Sequence, residues 1–194
     1  SYKQAISLRP NYVEAYINLG SLYDNENNST KAIQCYEKAI SLDSESSVAY
    51  NNLGIALHKL GNIISAIACY KKAINIDAEF AIAHHNLSFA LLLNQNYKEG
   101  LIEYEWRLKT DGFSKLHAQP KLKKWTGEII DNNHLIVVGE QGLGDNIQFI
   151  RYTKKLKDMG FNISICMEKK LHSLIINSKI DANPIAPENL NKFE

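Results

Sequence analysis

The chain has 194 residues, with 22 Lys and Arg against 21 Asp and Glu, a formal net charge of +1, and 45% hydrophobic residues. That balance gives no long-range pull toward nucleic acid or an anionic membrane, so no nucleic-acid partner is expected. The longest apolar run, Phe89 to Leu93, falls far short of the roughly 20 residues that cross a bilayer, so no membrane span is expected either.

A repeat organises the first 110 residues. Ala15-Tyr16 with Leu19-Gly20 returns as Ala49-Tyr50 with Leu53-Gly54, and again as Ala83-His84 with Leu87-Ser88, each time 34 residues on. The second half of the unit keeps phase. Ala32, Cys35, Tyr36 and Ala39 are echoed by Ala66, Cys69, Tyr70 and Ala73, and more loosely by Gly100, Tyr104 and Arg107, while Tyr2, Ala5 and Pro10 end an earlier unit. Small residues at such positions let two antiparallel helices cross closely, and the large ones fill the gap to the next pair. The period and pattern resemble tetratricopeptide repeats. The resemblance implies an all-α solenoid over residues 1–110, with a partial first unit and further units starting near 13, 47 and 81. Ser1 falls inside a repeat helix, so the chain is expected to begin within a longer protein.

Asn18, Asn52 and Asn86 share one phase of three successive first helices. In tetratricopeptide arrays that phase lies toward the concave face. An amide offers both donors and an acceptor, so a ladder of asparagines can pair with the main chain of an extended peptide whatever its side chains. It resembles the inner asparagine ladder of repeat-bearing O-linked N-acetylglucosamine transferases. The local alternative is that each amide bonds only a neighbouring helix or water. His58, Lys59, His85 and Phe89 are expected along the same groove, and His84, which replaces the tyrosine of the other units, is expected to pack in the core. No metal site is expected, because no acidic or sulfur partner stands at ligand spacing. Cys35, Cys69 and Cys166 read as buried free thiols of a reducing compartment, consistent with a soluble, cytoplasmic chain.

In the last unit Gly100 and Arg107 replace alanines and Trp106 joins Tyr104, which predicts a pair that caps or docks rather than another repeat. Residues 111–133 lose periodicity and gather Gly112, Pro120, Gly127 and lysines, as a connector does. From 134 to 194 strand and helix alternate. Leu135 to Val138 reads as a strand, and Asn146 to Met159 as a helix with Phe149, Tyr152, Leu156 and Met159 in one apolar stripe. Gly160 reads as its stop, Asn162 to Cys166 as a second strand, Lys169 to Asn177 as a further helix, and Ala182 to Ile185 as a third strand. This is a right-handed βαβ pattern of a parallel sheet. About 60 residues bury only a marginal core for such a sheet, so the α/β part is expected to continue beyond this chain.

Between the first strand and the helix lies the glycine turn GEQGLGDN. It is not a Walker loop, because Asp145 and Asn146 stand where a lysine and a hydroxyl residue belong. The glycines Gly139, Gly142 and Gly144 are spaced in the reverse sense of a dinucleotide fingerprint. What remains is a carboxylate, Asp145, at a helix start, followed at steps of three by Gln148 and Arg151. The segment GEQGLGDNIQFIRY, preceded by KWTGE and joined to repeats ending in EYEWRL, resembles bacterial repeat proteins whose C-terminal half is a GT-B glycosyltransferase related to the heptosyltransferases. That resemblance implies a partial Rossmann-like unit, with Asp145 as the base that deprotonates an acceptor hydroxyl in an inverting, metal-independent transfer. Glu140, Gln141, Gly142, Gly144, Gln148 and Arg151 are candidates to bind the sugar acceptor or a phosphate, the plainer role of the long polar ones being a solvated edge, and the resemblance implies a nucleotide-sugar donor for the full-length protein, with no cofactor held by this stretch itself. The simpler role for Asp145 is a helix N-cap. Two functions follow: a glycosyltransferase whose repeats recruit a protein or peptide, and a non-catalytic interaction scaffold.

Overall fold

The computed structural model describes residues 1–110, 123–128, 133–139, 142–178, 180 and 182–193. The side chains of Asp145 and of residues 191–193 lie outside that description. The chain divides into two compact units, Ser1–Asp111 and Gly112–Glu194.

The first unit is helical throughout. Helix α1 (Tyr2–Leu8) is followed by three antiparallel pairs: α2 (Val13–Asn25) with α3 (Ser29–Leu42), α4 (Ser47–Lys59) with α5 (Ile63–Ile76), and α6 (Ala81–Leu93) with α7 (Tyr97–Tyr104). Local chemistry starts some of them: Asn28 Oδ1 accepts from the Lys31 amide (3.3 Å) and Ser46 Oγ from the Ala49 amide (3.3 Å), each satisfying an N–H that a helix start leaves unpaired. The turn inside each pair needs a left-handed residue. Asn27, Gly61 and Gln95, again 34 apart, take φ of 58°, 80° and 62°.

Close crossing comes from the glycines. A Cβ on Gly20 would lie 2.6 Å from Tyr36 Cε1, and one on Gly54 2.6 Å from Tyr70 Cε1, so each ring lies flat against bare backbone of its partner helix. The alanines Ala32, Ala39, Ala49, Ala56, Ala66, Ala73, Ala83 and Ala90 are fully buried around these rings. In the third pair Ser88, also fully buried, fills the slot that glycine leaves open before, and Tyr104 packs instead against the rings of His85 and Phe89. The chain then tightens into a 3-10 turn, Glu105–Lys109. Trp106 stacks flat on His84 at 3.7 Å between ring centroids, and Arg107 is buried with its guanidinium 4.4 Å from the Tyr104 ring. The last pair therefore folds its tail back onto α6.

The second unit carries a parallel sheet of order β1-β2-β3, formed by His134–Val138, Asn162–Cys166 and Asn183–Ile185. Leu135 pairs with Ile163, and Cys166 with both Val138 and Ile185. Successive side chains alternate between faces. Leu135, Ile163 and Ile165 form one core with Phe161, Leu171 and Ile175, whereas Cys166 and Ile185 pack with Leu190 on the other side. Trp125 also covers the first face, its ring 5.2 Å from Phe161 and its indole N–H donating to the Glu128 carbonyl (2.7 Å).

The connection between β1 and β2 differs from the expected single helix. It is two helices, α8 (Leu143–Ile150) and α9 (Thr153–Asp158), broken at Arg151-Tyr152. The expected apolar stripe is mostly on the outside: Phe149, Tyr152 and Met159 are exposed, and the inward face is Ile150, Thr153 and Leu156. The three-residue spacing of the buried set follows the changed phase across the break. Gly160 ends α9 with φ of 95°. The segment after β2 is a 3-10 turn (Lys169–Leu171) running into α10 (His172–Asn177).

Candidate functional site

Helices α2, α4 and α6 stand side by side as the first members of their pairs and carry the asparagines. Asn18 is exposed; Asn52 and Asn86 are half-buried. The amides of α4 and α6 are joined through Asn51, which stands outside the 34-residue asparagine phase. Asn86 Nδ2 donates to Asn51 Oδ1 (2.9 Å), and Asn51 Nδ2 donates to Asn52 Oδ1 (3.2 Å). Asn51 is 3% exposed, so the chain of amides is anchored at its middle. The Asn52 N–H groups and the Asn86 carbonyl make no further side-chain hydrogen bond among the described residues, which leaves a donor at one end and an acceptor at the other. The same phase holds Ile17 in the preceding unit, so Asn18 has no such brace.

Beside this chain lies an open hollow of about 280 Å³, lined by Ile55, His58, Lys59, Tyr70, Asn86 and Phe89. Four of the residues expected along the groove, His58, Lys59, Asn86 and Phe89, are thus brought together. His85 adjoins them, its ring 4.8 Å from Phe89, while Asn18 and Asn52 lie outside the lining. Burial, and then the charge of Arg107, hold the His85 imidazole below its ordinary pKa, so it is neutral at pH 7. Burial likewise raises the Tyr70 phenol and the thiols of Cys35 and Cys69.

Lys59 is not a lone cation. Its Nζ lies 2.6 Å from Asp24 Oδ2, one unit earlier, and 3.5 Å from the Asp24 carbonyl oxygen; Ser29 Oγ donates to the other carboxylate oxygen (3.2 Å). Asp24 is 8% exposed. The pairs Asp24–Lys59 and Asn51–Asn86 are both separated by 35 residues, one more than the repeat. That offset is the sequence signal for contacts between neighbouring first helices.

His84 is a packed core residue. Its Nδ1 lies 2.5 Å from Glu103 Oε2 and its Nε2 3.0 Å from the Ala78 carbonyl. Among the described residues no cluster of three or more His, Cys, Asp and Glu could hold a metal ion, and no helix is long and apolar enough to cross a membrane.

In the second unit the glycine turn follows β1. The Gly139 amide donates to the Cys166 carbonyl (2.8 Å), and a Cβ there would meet Asn146 Oδ1 at 2.5 Å, so the turn lies tight against α8. Gly142, not Asp145, is the N-cap of α8, and Asp145 is its third residue. Gly142, Gly144, Gln148 and Arg151 are exposed, and a Cβ on Gly142 or Gly144 would touch nothing within 4 Å. Arg151 turns toward its neighbour, Nη2 donating to Tyr152 Oη (3.3 Å). Glu140 and Gln141 lie outside the described residues.

Residues 13–46 and 47–80 each match a model of the tetratricopeptide repeat. These two pairs are tetratricopeptide repeats. No curated protein matches the chain. Among solved structures, MamA is 26% identical with a TM-score of 0.52, over 57% of this chain and 65% of that one, so the chain spans less than two thirds of MamA. YrrB, described as a tetratricopeptide protein with an unusual peptide-binding site, is 22% identical (58% of each chain, TM-score 0.54). The first tetratricopeptide domain of Spaghetti (RPAP3), bound to an HSP90 peptide, is 21% identical (52% of this chain, 81% of that one, TM-score 0.50). The last two show a shared fold. The tetratricopeptide solenoid is the part of the chain these likenesses support.

Proposed function

We propose that the chain is an interaction scaffold whose repeats take an extended protein segment along the face of α2, α4 and α6. The observation that carries this reading is the braced amide chain Asn86–Asn51–Asn52, which leaves both a donor and an acceptor available beside an apolar hollow. A bound peptide must find partners for its own N–H and C=O groups. Fixed amides meet that need without regard to sequence, and the hollow selects a side chain. Structures of this fold with a peptide-binding site or a bound peptide, YrrB and Spaghetti, lend the reading support.

The test is selection from a random 12-residue peptide display library on the full chain, followed by calorimetric titration of a retained peptide. Replacing Asn18 and Asn52 with alanine removes about two hydrogen bonds and should weaken binding by roughly tenfold, at about 0.5–1.5 kcal/mol each. Unchanged affinity would make these amides structural only.

A second reading, sugar transfer with Asp145 as base, has one placement in its favour. Residue 145 stands in the first turn of α8 behind a strand and a glycine turn, where the helix dipole favours an ionised carboxylate. It otherwise rests on sequence resemblance. Its nucleotide-sugar donor and sugar acceptor, with Gly142, Gly144, Gln148 and Arg151 on the acceptor side, are tested by assaying transfer in the full-length protein. Asp145→Asn should abolish turnover, and full activity in that variant removes the base.

A further inference from the structure

The repeats are not identical around the hollow, and the differences describe what fits it. In the first pair the Tyr36 hydroxyl is 3.4 Å from Ser21 Oγ. One unit later Ile55 stands in place of that serine. Tyr70 is 1% exposed, lines the hollow, and its hydroxyl makes no hydrogen bond among the described residues. A nearly buried phenol thus presents an open hydrogen-bonding atom beside the apolar side chains of Ile55 and Phe89, the latter 47% exposed, in a lining that also holds His58, Lys59 and Asn86.

Charge narrows the choice further. Helix α6 contains no Asp, Glu, Lys or Arg, and α4 contains only Lys59 among these. Lys59 is already engaged by the nearly buried Asp24, which also takes the Ser29 hydroxyl. A peptide carboxylate that captured this ammonium would take the counter-ion from a nearly buried carboxylate. Lys59 therefore offers the groove its methylene stem rather than its charge. His85, neutral at pH 7, adds no cation of its own.

Building on the peptide-binding reading, we infer that the hollow takes an uncharged peptide segment anchored by one tyrosine or tryptophan side chain, whose polar atom meets the Tyr70 hydroxyl. The volume, at the lower edge of the roughly 300–1,000 Å³ of small-molecule sites, suits one large side chain. Tyrosine and tryptophan combine a broad apolar face with a single hydrogen-bonding atom, which is the complement of Ile55, Phe89 and Tyr70.

The test uses the full chain and degenerate nine-residue peptide pools with neutral flanks and a fixed centre: tyrosine or tryptophan, phenylalanine or leucine, aspartate or glutamate. The expected order of retention is tyrosine and tryptophan first, phenylalanine and leucine roughly tenfold lower, the value of one good hydrogen bond, and the acidic pools last. Tyr70→Phe, which keeps the shape, should bring the first class down to the second. Asp24→Asn should raise the acidic pools several-fold. Circular dichroism of each variant checks that it is folded. Acidic pools leading in the unaltered chain, or no response to Tyr70→Phe, would overturn this specificity while leaving peptide binding in place. Retention of no pool at all would overturn both.

Discussion

Replacing Gly54 with alanine probes the joint on which the hollow is built. The added methyl would sit 2.6, 2.8 and 3.0 Å from Cε1, Cδ1 and Cζ of Tyr70, where carbon atoms are comfortable at about 3.5–4.0 Å. The ring must retreat by about 1 Å. It has little room, since Tyr70 is packed with Ala66, Leu87, Ala90 and Leu91 in one cluster. Overpacking of this kind costs about 1–3 kcal/mol, while alanine in a helix interior returns about 0.8–1.0 kcal/mol relative to glycine. A net loss of up to about 2 kcal/mol is expected, read as a lower urea midpoint by far-UV circular dichroism with an unchanged slope. In a Tyr70→Ala background, where the ring is gone, the same substitution should become neutral or stabilising. Equal or greater stability of the single variant would refute the argument that this glycine is there for the ring.

Other substitutions test other contacts. Gln95→Gly relieves a left-handed glutamine, φ 62°, and should raise stability by about 0.5–1 kcal/mol in thermal unfolding, the strain relief of roughly 1–2 kcal/mol being partly offset by a looser unfolded chain. Glu103→Ala leaves the buried His84 Nδ1 without its carboxylate and should cost about 1–3 kcal/mol, lowering the melting temperature. For His85 the folded-state pKa lies below the ordinary 6.5, so the unfolded state takes up the proton first. Its share of stability is intact above about pH 6.5 and falls as pH drops toward the folded pKa. His85→Gln should flatten that part of the urea-midpoint profile between pH 7 and 5, and an identical profile would remove His85 as its source.

The repeats were legible because small residues recur at a fixed step, and the crossing of two helices tolerates nothing larger at Gly20 or Gly54. The turn positions were half legible: Asn27 and Gly61 suit a left-handed backbone, whereas Gln95 gives no such signal and is held there by the repeat geometry. Braces between neighbouring units were hidden, because Asn51 with Asn86 and Asp24 with Lys59 depend on a one-residue offset between adjacent helices that the internal period does not contain. In the second unit the strands stood out as β-branched runs between polar breaks. The helix break at Arg151-Tyr152 did not, since neither glycine nor proline marks it, and the phase shift there put Phe149, Tyr152 and Met159 on the surface. The helix expected from Asn146, with Asp145 at its start as a base or, more simply, as its cap, begins three residues earlier at Leu143 with Gly142 as its cap.

Peptide binding on the face of α2, α4 and α6 is the proposal on which the rest depends. Its most direct test is a crystal structure of the chain with a library-selected peptide. The expected complex holds an extended peptide whose main chain meets the amides of Asn52 and Asn86 and whose aromatic side chain enters the hollow between Ile55 and Phe89. A peptide seated instead on the outer helices α3 and α5, with the hollow empty, would contradict it.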